Sequence, residues 1–147
     1  PVYHKTMQIV NRTVVIPTKG VGDIIDITDK VKETLRLADL KTGSVSIFVK
    51  GSTASVTTLE YEPGLVKDMR ELAERLAPSD KPYHHDDTWA DKNGYSHIRA
   101  SIFGPSVVIP FAEGEMFLGR WQQIVLAEFD VRSRHREIFI QIIGESQ

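Results

Sequence analysis

The chain has 147 residues, 41% of them hydrophobic and 26% charged, with a net charge of −2 and no cysteine. That size suits one domain with a real core, and no apolar run approaches the roughly 18 residues of a membrane span. The absence of cysteine rules out disulfides, thiolate catalysis and sulfur-ligated zinc, and the slight acidity argues against general nucleic-acid binding.

Pro1–Thr6 lack the basic-then-apolar pattern of a secretory leader, so the expectation is a cytoplasmic protein with no membrane partner. No linker, repeat or low-complexity run divides the chain, and residues 1–147 read as one domain. Thr6–Ile16 is rich in Val, Ile and Thr, which suits a strand, and Pro17–Gly22 reads as a loop. Thr28 is placed as an N-cap with Asp29 in the first turn, Val31, Leu35 and Ala38 recur at helical spacing, and Gly43 is read as the stop. Ser44–Val49 alternates, with Val45, Ile47 and Val49 on one face, and Ala54–Glu60 is a second strand-like run. Pro63 opens a helix with Leu65, Met69, Leu72 and Leu76 as its stripe, ending before Pro78.

From His97 onward the pattern predicts strands over His97–Phe103, Val107–Pro110, Arg120–Phe129 and Arg136–Ile143, with turns at Gly104-Pro105 and Glu113-Gly114. Two helices and several late strands predict an α+β domain, mainly an antiparallel β-sandwich with its helices on one side.

Three segments can carry chemistry. Tyr83–His97 holds three of the five histidines and three aspartates, residue types that serve both as metal ligands and as acid–base groups. If 97–103 is a strand, His97, Arg99 and Ser101 share a face; the bland alternative is a solvated polar loop turning at Asn93-Gly94. An EF-hand is excluded, because with Gly94 sixth the first and twelfth positions are Trp89 and Ala100. Gly51–Glu60 is rich in hydroxyls that can hold an anion, yet it lacks the Walker signature, and Ser and Thr are also ordinary strand residues. Arg132–Arg136 is a basic turn whose guanidinium forks match phosphate oxygens, or serve only solubility. Neither a nucleophile elbow nor a complete dinucleotide-binding glycine motif is present.

The segments Phe48–Ala54 with Glu60, Tyr83–Asp91, Ser96–Ser101, Leu118–Gln122, Glu128–Asp130 and Gln141–Glu145, in this order and spacing, resemble the YjbQ-like family. The resemblance implies a small β-rich sandwich with two helices, a homotrimer with sites near subunit boundaries, and weak thiamine-phosphate synthase activity on small phosphorylated substrates. It marks His85, His97 and Glu60 as catalytic candidates, with His85, Asp86 and His97 as candidate ligands of a divalent metal such as Mg or Zn. Ser52, Thr53, Trp121, Gln122, Arg134 and Arg136 are the corresponding substrate-binding candidates. Gly51 stands where many relatives carry a histidine, and Val131-Arg132-Ser133 replaces the usual Gly-Pro. The rival expectation is a non-catalytic trimer that binds a small anion or metal.

Overall fold

A computed structural model describes residues 5–147; Pro1–His4, and with them most of the segment scanned for a leader, lie outside the described residues. Eight strands form two antiparallel sheets. The first sheet has the order β1 (Met7–Pro17), β8 (His135–Ser146), β3 (Leu40–Val49), β5 (Ser106–Ala112), β6 (Glu115–Met116), and the second has β2 (Ile24–Asp26), β7 (Gln123–Glu128), β4 (Ala54–Leu59). Among the described residues there are four helices: α1 (Thr28–Ala38), α2 (Pro63–Leu76), the single turn α3 (His85–Thr88) and α4 (Gly94–Phe103).

Alternation decides which face is buried. Val45, Ile47 and Val49 of β3 lie inward with Ile138, Ile140 and Ile142 of β8, all at most 1% exposed. Against them pack Val31 and Leu35 of α1 and one face of the second sheet, Val56, Ile124 and Leu126. The other face of that sheet, Val125 and Ala127, meets Val66 and Ala73 of α2 and Ala100 of α4. Being covered on both faces, β7 reads as a continuous apolar run ended by a carboxylate. The predicted α+β sandwich is therefore present, with α2 and α4 on the outer side of the smaller sheet.

Several local expectations need correction. Segment 97–103 is a helix, not a strand: Tyr95 and Arg99 are buried one turn apart while Ile98 and Ile102 face out, so the apparent period of two was two interleaved helical stripes. Arg99 is consequently buried, donating to the Ala77 carbonyl and to Glu74. Helix α1 ends in a left-handed Asp39, and Gly43 lies within β3 opposite Gly144 rather than stopping the helix. Thr28 is the first helical residue; its hydroxyl accepts from Ile124 N and donates to Asp26, whose carboxylate also takes the Thr28 amide. On α2 the buried positions are Val66 and Ala73, and Leu76 is 49% exposed, because a small alanine lets the helix approach the sheet one position round from the leucine stripe. Finally, β7 starts at Gln123. Trp121 and Gln122 sit in the preceding turn, where Gln122 N donates to Gly119 O, so Gln122 shares no strand face with Glu128.

Candidate functional site

The ends of β4 and β7 separate the candidate residues into two groups. Ala54 pairs with Glu128 at one end of the smaller sheet and Leu59 with Gln123 at the other. Six residues of strand put these ends roughly 17 Å apart.

At the first end a buried ionic network is assembled. Glu128, 0% exposed, accepts from Thr18 Oγ1 at 2.7 Å, from Arg136 Nε at 2.8 Å and Nη2 at 2.5 Å, and from the Asp130 amide at 3.0 Å. Arg136 Nη2 also donates to Thr53 Oγ1, and Thr53 in turn donates to Asp130 at 3.3 Å. Asp130 further accepts from Arg134 Nε at 2.7 Å and Asn93 Nδ2 at 3.2 Å. Burial alone would raise the Asp130 pKa, but the Arg134 fork, the Val131 amide and Asn93 together hold it below the ordinary carboxylate value. Both candidate phosphate-binding arginines are thus engaged by carboxylates, Arg136 wholly inside and Arg134 a third exposed.

Beside this network lies the histidine-rich segment. The one-turn α3 sits against the start of α4, and Gly94 permits that contact, since a Cβ there would come within 2.6 Å of the Tyr83 Cβ. The His85 and His97 rings consequently face each other with centroids 4.5 Å apart and planes tilted by 57°. Asp86 turns Oδ2 to the Tyr83 amide at 3.2 Å, and Asp91 Oδ1 lies 4.0 Å from His85 Nε2. Four buried side-chain atoms here, His85 Nε2, Asp86 Oδ1, Asn93 Oδ1 and Ser96 Oγ, have no hydrogen-bond partner in the chain. Each such group costs about 1–3 kcal/mol, so their concentration at one junction marks it as a place where a polar partner is needed.

Among the described residues no three His, Asp or Glu side chains converge as a metal-holding group. His85, Asp86 and His97 form no such group, although Asp86 keeps Oδ1 without a partner. At Gly51 φ is +116° and a Cβ would stand 2.7 Å from Arg136 Nη1. Arg136, held by Glu128, fills the space that a side chain at 51 would enter.

The remaining candidates are at the far end. Glu60 is exposed, Trp121 is 64% exposed with the Arg120 guanidinium 4.8 Å from its ring, and Gln122 Nε2 donates to Thr58. Of the three, Gln122 lines a cavity of about 660 Å³, together with Asp26, Lys32, Leu35 and Arg120 among others. Ser52 is exposed beside Thr53 at the histidine end.

Sequence reasoning left Asn93, Ser96 and Asp130 without roles. Asn93, a residue type common at helix N-caps, stands immediately before 94–103 and is the signal that could have exposed the strand error, and Glu128-x-Asp130 before an arginine-rich turn signals an inward-facing ion-pair set.

The comparisons agree with this architecture. The family model described as UPF0047 protein YjbQ-like matches residues 12–145. A UPF0047 protein of Archaeoglobus fulgidus is 36% identical over 121 residues, covering 82% of this chain and 91% of the relative. UPF0047 protein YjbQ of Salmonella typhimurium is 32% identical, covering 91% and 97%. The crystal structure of a YbjQ-like protein of unknown function from Sulfolobus solfataricus superposes with a TM-score of 0.88 at 28% identity over 95% of this chain and 99% of that one. A hypothetical protein from Aeropyrum pernix gives 0.80 at 31%, over 90% and 98%.

Proposed function

The chain belongs to the YjbQ-like UPF0047 family, and on that premise we propose that it is a cytoplasmic enzyme acting on small phosphorylated molecules at the His85–His97 end of the smaller sheet, with thiamine-phosphate formation as the candidate reaction. The observation that supports this reading is the meeting of the tilted histidine pair with buried, unpartnered polar atoms at one junction. In the candidate reaction a thiazole nitrogen displaces pyrophosphate from a pyrimidine methylene carbon, so one C–N bond forms as one C–O bond breaks. Negative charge then collects on the departing pyrophosphate and needs positive partners. The exposed part of Arg134 supplies one, with the Ser52 hydroxyl alongside.

The homotrimer belongs to the same proposal. Within one protomer Glu60, Trp121 and Gln122 lie at the opposite end from the histidines, so in this reading they act on a substrate only across a subunit boundary. Light scattering should then return the mass of three chains.

The assay supplies both phosphorylated halves with magnesium. Wild type should form thiamine phosphate, and His85→Ala/His97→Ala should lose about 100-fold or more of the rate with little change in melting temperature. No product from wild type would overturn the enzymatic reading. The rival reading is a non-catalytic small-anion-binding protein; retention of phosphate compounds without turnover would support it.

A further inference from the structure

We infer that the junction of α3 with α4 receives the hydrogen-bond-donating, positively charged end of a small ligand, such as an amidinium or ammonium group, and not its phosphate end. The inference rests on the reading of this end as a ligand site, and adds which part of the ligand is taken.

The chemistry of the four unpartnered atoms carries it. Asp86 Oδ1 belongs to a carboxylate and, when ionised, only accepts. Asn93 Oδ1 is fixed as an acceptor by its other end: the Asp130 carboxylate accepts from Asn93 Nδ2 at 3.2 Å, and a carboxylate engaged by Arg134 offers no donor. The amide therefore cannot be turned round without setting oxygen against oxygen. Ser96 Oγ and His85 Nε2 each have a lone pair available in at least one of their forms. Asn93 and Ser96, at the start of α4, are 4% and 0% exposed, so these atoms are kept from solvent.

Charge points the same way. Asp86 carries the formal charge among the four, Asp87 follows it on the same turn, and Asp91 lies 4.0 Å from His85. A phosphate at this junction would set its oxygens against acceptors already in place, whereas N–H donors would satisfy them. Of the cations nearby, Lys81 and Lys92 are exposed on the surface, while Arg134 is bound to the opposite oxygen of Asp130 from Asn93 and leaves the phosphate end of a ligand to that side.

Entry requires one element to give way. Helix α3 is a single turn with no buried residue and no side-chain cap, tied back by Tyr83 N to Asp86; such elements open at low free-energy cost. Its displacement, carrying Asp86 with it, uncovers Asn93 and Ser96 to a ligand that enters between α3 and α4.

Three probes of one shape test this, benzamidine, benzoate and phenyl phosphate, titrated into the full chain while amide and side-chain resonances are followed. Benzamidine should shift the Asn93 and Ser96 signals, benzoate should leave them unmoved, and the isosteric Asp86→Asn should weaken benzamidine at least tenfold while the spectrum stays folded. Failure of benzamidine to bind, equal binding by Asp86→Asn, or phenyl phosphate shifting Asn93 and Ser96 instead would overturn the inference. Displacement of benzamidine by Mn²⁺, with broadening of His85 and Asn93, would also overturn it by making the occupant a metal ion. The product assay separates the two claims. Product formed by a chain that ignores benzamidine sinks only the inference, whereas benzamidine bound as described with no product sinks only the enzymatic reading.

Discussion

The two ends of the smaller sheet are built on opposite principles. Where β7 begins, Glu60, Trp121 and Gln122 stand in solvent, Gln122 lines the roomier cavity, and it meets its hydrogen-bonding needs locally. Where β7 ends, Glu128, Asp130 and Arg136 are sealed inside, every carboxylate oxygen there is used, and the atoms left without partners belong to Asp86, Asn93, Ser96 and His85 next door. The difference teaches that the roomier cavity and the unmet polar groups lie at opposite ends. Solvent satisfies polar groups at the open end at little cost, whereas the buried end fixes orientation and leaves hydrogen-bonding capacity unmet.

The sharpest way to break the comparison is to cut one carboxylate at each end. Glu128→Ala leaves Arg136 buried without its counter-charge and should cost about 3–5 kcal/mol; Glu60→Ala should stay within about 0.5 kcal/mol, both read by urea unfolding. Equal effects would mean the two ends are energetically alike.

Acid sharpens it next. Because the folded Asp130 pKa is depressed, its contribution is fully present above the unfolded value of about 3.9 and is lost as pH falls through the lower folded value. The stability gap between wild type and Asp130→Asn should therefore be full at pH 7 and shrink once the pH drops below that unfolded value. A gap that widens in acid would contradict the assignment.

The smallest effect compares two buried serines. Ser55 Oγ donates to the Ala100 carbonyl at 3.1 Å, so Ser55→Ala should cost about 1 kcal/mol. Ser96→Ala removes an unpartnered hydroxyl and should be neutral or slightly stabilising while lowering ligand affinity. Equal losses of melting temperature would show that Ser96 has a structural partner.

Much of the fold was legible in the residues themselves. Inward Val45, Ile47 and Val49 announced β3, and Pro63 announced α2, because one face of each element is buried and periodicity records burial. Segment 97–103 was misread because its helix is half exposed on two sides: Ile98 and Ile102 face out while Arg99 is buried, so hydrophobicity does not track burial there. The site was half legible. The histidines and Asp86 stood out by type, but Asp130 and Asn93 act through contacts 37 residues apart in sequence, which no local pattern records. The separation of Trp121 from His97 likewise depends on strand pairing, which the spacing of residues does not reveal.

The chain has two tryptophans, and each reports one end. Trp89, at the C-terminal cap of α3, is 63% exposed beside the histidines, and Trp121 is 64% exposed at the other end. The most direct test follows both indole N–H resonances while the phosphorylated substrate pair is titrated into the protein. A ligand site at the histidine end predicts that Trp89 shifts saturably in wild type and not in His85→Ala/His97→Ala. A saturable shift of Trp121 with Trp89 unmoved would contradict it.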